Sequence, residues 1–178
     1  MVRSHPFDLF GLLCGIALAF MPSITGAQGE PRPFAWDLAR GVLIDPTTYV
    51  PAVLSYESQR MDWKTSQVLF ERGWMEANPG LTVSGRPNDV PLSNQAGGRL
   101  MRKETLSWFG QSLINNTAVG IFERVLVARN PKHRKLIHAL SWAERISFAS
   151  YTAYLASVEH FRQAGKNRQL ARAYGYSQ

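Results

Sequence analysis

Apolar positions recur at helical spacing through most of residues 99–163, and the pattern is broken only at Asn130-Pro131. One stretch runs over residues 100–129 and a second continues to Gln163, because proline is tolerated only in the first turn of the helix that follows it. Only a tight turn fits between them. The two helices are therefore expected to lie antiparallel, with residues equidistant from the turn facing one another.

Counted outward from that turn, Glu123 is level with His138, Asn116 with Arg145, Phe109 with Thr152 and Arg102 with Glu159, at intervals of seven residues. Seven residues are almost two full turns, so each set lines one stripe, flanked by Ser112 and Gly120 on one helix and Ser141 and Ala149 on the other. Polar stripes on amphipathic helices ordinarily face water. Here the first helix has a second polar side, with Lys103, Glu104, Ser107, Gln111 and Arg129. If that side is the wet one, Asn116, Glu123, His138 and Arg145 form a partly buried seam and need partners.

Before the hairpin, Pro31 and Pro33 open a short helix at residues 34–40 that Gly41 would end. Asp45-Pro46-Thr47 reads as a helix start, with Asp45 as the cap, and the helix is expected to run to Ala77 with an irregularity near Met61. Residues 78–96 hold Pro79, Gly80, Gly85, Pro87 and Pro91 without a sustained period, which makes them a loop, either functional or a plain connector. Residues 165–178 read as a basic tail ending in a frayed helix, with a solvated end or a membrane surface as its surroundings. Ala149, Ala153 and Ser157 recur every fourth position and would admit another backbone closely, with Phe148, Tyr151, Tyr154 and Phe161 filling the core beside them. The expected fold is all-α: three long helices with a central antiparallel hairpin, plus short terminal helices.

The first residues change the picture of where this domain works. Arg3 and His5 precede an apolar run over residues 9–21, and Thr25-Gly26-Ala27 offers a cleavage site before Gln28. Residues 1–27 read as a secretory signal peptide, followed by a lead-in over 28–44, a helical domain over 45–164 and the tail. Cys14 sits inside the apolar run after Leu12-Leu13, the wrong place for lipid attachment, and the processed chain would hold no cysteine. Its stability must then come from packing.

Apolar content of 45% and charged content of 19% suit a globular chain, and the net charge is +7. Removal of Arg3 and Asp8 leaves that charge unchanged. A basic exported protein meets anionic surfaces, so a phospholipid surface or an envelope protein is the expected partner. Nucleic acid is not, because the basic residues are spread over every segment. Nothing in the chain speaks to oligomeric state.

One stretch carries a familiar pattern: Asp62-Trp63-Lys64-Thr65-Ser66, then Gly73, then Glu76-Ala77-Asn78-Pro79. It resembles the Asp, paired hydroxyls, Gly and Glu-x-Asn-Pro ending of small bacterial helical membrane-protein families of unknown function. The resemblance is strict over residues 62–79 and loose over the order of three helices. It implies that Asp62, Thr65, Ser66, Glu76 and Asn78 belong together near the end of the first long helix, and it implies helices embedded in a membrane. The chain departs from those families in hydrophobicity, since Glu123-Arg124 and Glu144-Arg145 interrupt both hairpin helices. Its longer uncharged run, residues 105–122, just reaches spanning length but contains Gln111, Asn115 and Asn116. A soluble or surface-bound domain is expected, with transmembrane helices as the alternative.

Physically, Asp62 and Ser66 lie one helical turn apart and can tie their helix to a neighbour by hydrogen bonds. Among His133, His138 and His160 there is no His-Glu-x-x-His, and the chain lacks Gly-x-Ser-x-Gly and a phosphate-cradling glycine loop. No cofactor or metal is called for. An acid/base or metal site from Glu123, His138 and Asp62 or Glu76 could arise only through the tertiary fold. The reading is an exported, non-catalytic helical protein of the cell envelope, in the periplasm or on a membrane; an integral membrane protein and an enzyme using the seam are the alternatives.

Overall fold

The computed structural model describes residues 34–176, so the expected signal peptide and residues 28–33 of the lead-in lie outside the described residues. The chain is all-α. Among the described residues four helices follow one another: α1, Phe34–Ile44; α2, Val50–Phe70; α3, Asn94–Arg129; and α4, Arg134–Ala173. Short 3-10 turns at Pro46–Thr48, Pro79–Leu81 and Pro131–His133 connect them. The described residues fall into two compact units, one of residues 34–45 and 113–145, the other of 46–112 and 146–176.

The first unit holds α1, the C-terminal part of α3 and the N-terminal part of α4. Asn130-Pro131 ends α3, and the 3-10 turn that follows leads straight into α4. The returning helix lies beside the outgoing one, with Asn115 donating to Glu144 at 3.4 Å. Arg124 fastens α1 to them: its Nη1 donates to the Gly120 carbonyl and its Nη2 to that of Asp37. Gly120 gives room there, since a Cβ would come within 2.8 Å of the Cδ1 of Leu38, one of the two buried residues of α1, and that side chain would have to shift. Gly41 does not end α1, which continues to Ile44. A single glycine inside a helix costs only about 1 kcal/mol against alanine.

In the second unit α2 starts later and stops earlier than expected. Asp45 does not cap it, because Pro46–Thr48 forms its own turn and Tyr49 occupies the cap without a side-chain hydrogen bond. No irregularity interrupts the helix at Met61. It ends at Phe70 through Gly73, whose φ of 85° turns the chain while Gly73 N–H bonds Phe70 O and Trp74 N–H bonds Leu69 O. Gly73 is the stop, and Asn78-Pro79 belongs to the loop beyond. That loop is ordered by two antiparallel bridges, Glu76 with Asp89 and Thr82 with Pro91.

The tail is not a separate frayed helix, for α4 runs unbroken to Ala173 and is closed by Gly175 in the same manner. Tyr174 then packs edge-on against Trp74, and Arg72 lies over the ring of Tyr176.

Burial along these helices is inverted. The buried stripe of α2 is Pro51, Ala52, Ser55, Ser58, Gln59, Thr65 and Leu69, while Val50, Val53, Leu54 and Tyr56 are exposed. On α4 the buried positions include Ala149, Thr152, Ala153, Ala156 and Ala164, and of the aromatic residues expected in the core Phe148 is half-buried while Tyr151, at 64%, Tyr154, at 59%, and Phe161 are exposed. Small side chains let the helices approach closely, and the bulky ones find no room between them.

Candidate functional site

Each unit contains one polar cluster. In the first, Glu123 holds His138 and Arg145 together: Oε1 is 2.5 Å from His138 Nδ1, and Oε2 accepts from Arg145 Nη2 at 2.7 Å. Arg134 donates from Nε to His138 Nε2 at 3.3 Å. A guanidinium has only donors, so Nε2 is the accepting nitrogen and Nδ1 the one that donates to Glu123. The other arm of Arg145 reaches Asp45 at 3.4 Å.

The four seam residues thus share one unit; Glu123 meets His138 as the level-for-level count has it, and the pairing of Asn116 with Arg145 does not form. Arg145 turns to Glu123 and Asp45 and not to Asn116, because two carboxylates satisfy a cation better than an amide carbonyl does. Asn116 is 1% exposed and hydrogen-bonded. Arg102 and Glu159 do not pair either, since Glu159 bonds Arg162 one turn along its own helix.

In the second unit, the motif residues meet α4 at a cleft of about 570 Å³. Asp62 Oδ2 is 2.9 Å from His160 Nδ1, and its Oδ1 accepts from Asn167 Nδ2 at 3.3 Å. The same amide donates to Ser66 at 2.8 Å and to Thr65 at 3.4 Å. Thr65 can accept because its own proton goes to the backbone carbonyls of Met61 and Asp62. Gln163 completes Asn167 by donating to its Oδ1.

Asp62, Thr65 and Ser66 therefore converge on one buried amide. The hydrogen bond to Asp62 holds the His160 imidazole above its ordinary pKa, against the opposing effect of burial, and the carboxylates of Asp62, Glu104 and Glu159 add to the rise. Glu76 and Asn78 line the same cleft without joining the cluster. Glu76 accepts from the Asn78 amide, and Asn78 caps the next turn by accepting from Gly80, so both shape the loop. Glu76 could share a helical face with Asp62 only if α2 reached Ala77.

His160 and Asn167 are the members that sequence reasoning missed. Their signal was indirect: a carboxylate and two hydroxyls within one turn of α2 can all accept from an amide donor on a neighbouring helix. Chemically, Asp62 and His160 make half of an acid/base constellation, while the Ser66 hydroxyl beside them is held by Asn167. The arrangement is that of a tie between helices. Among the described residues no group of three or more histidines, cysteines or carboxylates is placed to hold a metal ion, and no helix is long and apolar enough to cross a membrane.

Comparison with protein-family models, curated proteins and solved structures finds no match.

Proposed function

We propose that this protein is an exported, non-catalytic helical module of the cell envelope that works at a membrane surface. The inverted burial carries the reading. Leu, Trp and Tyr side chains stand outside while alanine, serine, threonine and asparagine fill the interior, so the exterior gains by contact with an apolar medium or a partner. The charge of +7 favours an anionic surface for that contact. Both polar clusters are consumed in holding helices together, in keeping with a structural role.

Alkaline carbonate extraction of membranes from cells making the protein tests this. Release from the membrane pellet into the peripheral fraction is the expected result. Retention until detergent is added would replace the proposal with an integral membrane protein, and absence from the membrane fraction before extraction would overturn both. Recovery with one envelope protein after crosslinking, in place of lipid, would assign the surface to that partner.

A further inference from the structure

We infer that the hairpin tip, residues 129–138, is the surface that meets anionic phospholipid headgroups; this rests on the membrane-surface reading above. Arg129, Lys132, Arg134 and Lys135 crowd this turn, with His133 among them, and no acidic residue occurs between Glu123 and Glu144. Residues 128–136 are all exposed. Four cations within seven residues, with no carboxylate among them, make a concentrated positive surface, whereas Arg99, Arg102 and Lys103 adjoin Glu104, and Arg162, Lys166, Arg168 and Arg172 spread over eleven residues.

Charge alone would suit any polyanion, and the neighbouring side chains make the choice. Leu136 and Leu140, one helical turn apart, continue the tip along one face of α4, and Phe122 and Leu126, likewise one turn apart, approach it along α3, all of them exposed. A headgroup layer takes cations at its phosphates and leucine or tryptophan just beneath them, whereas a nucleic-acid backbone gains nothing from the apolar residues. The tip is also firm: His133 N–H bonds Asn130 O, and Arg134 is held by His138. The backbone that carries the charges is therefore already ordered before docking.

Binding of the purified exported form of the protein to vesicles of phosphatidylcholine alone, and of phosphatidylcholine with phosphatidylglycerol, tests the inference. The wild type should bind the anionic vesicles at least about a hundredfold more tightly, and the gain should shrink as salt is raised. Arg129→Ala, Lys132→Ala and Lys135→Ala combined should lower the partition coefficient on anionic vesicles by about a hundredfold. Arg99→Ala, Arg102→Ala and Lys103→Ala combined remove the same charge from exposed positions elsewhere on α3 and should lower it much less. Equal losses from the two triple variants would assign the attraction to overall charge and overturn the tip. Equal binding to both vesicle types would overturn the tip and leave the membrane reading standing, and binding to neither would overturn the membrane reading itself. Circular dichroism verifies that both variants keep the wild-type helix content.

Discussion

Arg145 Nη2 lies 2.7 Å from Glu123 Oε2, and both side chains are 16% exposed. An ion pair this far from water depends on both partners, because the survivor of a deletion keeps its desolvation cost without its counter-charge. His138, on the other oxygen of Glu123, is 45% exposed. The carboxylate therefore matters more to Arg145 than to the imidazole.

Glu123→Gln is expected to destabilise by about 3 kcal/mol, the lower end for breaking a buried pair, and His138→Ala by about 1 kcal/mol or less. Urea unfolding of both, together with Arg145→Met and the double variant with Glu123→Gln, measures the difference. Strong non-additivity is expected for Glu123 with Arg145. Equal effects of Glu123→Gln and His138→Ala would contradict this ranking.

Much of the first unit was legible in the chain. Asn130-Pro131 sets the turn, and counting outward brings Glu123 to His138. The count fails at Arg145, because Asp45 enters from a segment about which hairpin arithmetic says nothing. The end of α2 differs from the expected one for a local reason: the turn at Gly73, with its positive φ, satisfies two helix carbonyls, and this outranks the more conspicuous Asn78-Pro79-Gly80. The inverted burial was hidden more deeply. Periodicity finds the faces of a helix, but it does not say which face looks inward, and Tyr151 and Ala153 exchange roles once small residues set the packing distance.

Asp62 and His160 make stability depend on pH with a definite sign. A base whose pKa is raised in the folded state stabilises fully below its unfolded value, here 6.5, and that contribution is lost as pH rises through the folded value. Stability of the wild type should fall over that interval, by an amount absent in His160→Gln. Urea midpoints measured through the interval for both proteins give the comparison. Identical pH slopes would show that the Asp62–His160 contact does not form.

Trp63 rests against α3 where Gly97 has no side chain, and its indole N–H donates to Asn94 at 2.9 Å. A Cβ at Gly97 would come within 2.6 Å of the ring, whereas one at Gly98 would meet nothing within 4 Å. Gly97→Ala should therefore destabilise, as overpacking typically does, by about 1–3 kcal/mol. Gly98→Ala should stabilise by up to about 1 kcal/mol through helix propensity. Thermal unfolding of the two variants decides, and the same sign for both would mean that Trp63 does not occupy this position.

The most direct measurement of the central claim, that the exposed apolar side chains are there to meet lipid, uses Leu140, which is 60% exposed. Cys14 is the sole cysteine of the chain, so Leu140→Cys in a Cys14→Ala background accepts one environment-sensitive fluorophore, with Lys64→Cys as an exposed polar control. On anionic vesicles, the label at Leu140 should shift to the blue and be quenched by lipids brominated on their acyl chains, while the label at Lys64 keeps its aqueous spectrum. A vesicle-bound protein whose Leu140 label stays aqueous and unquenched would contradict the account.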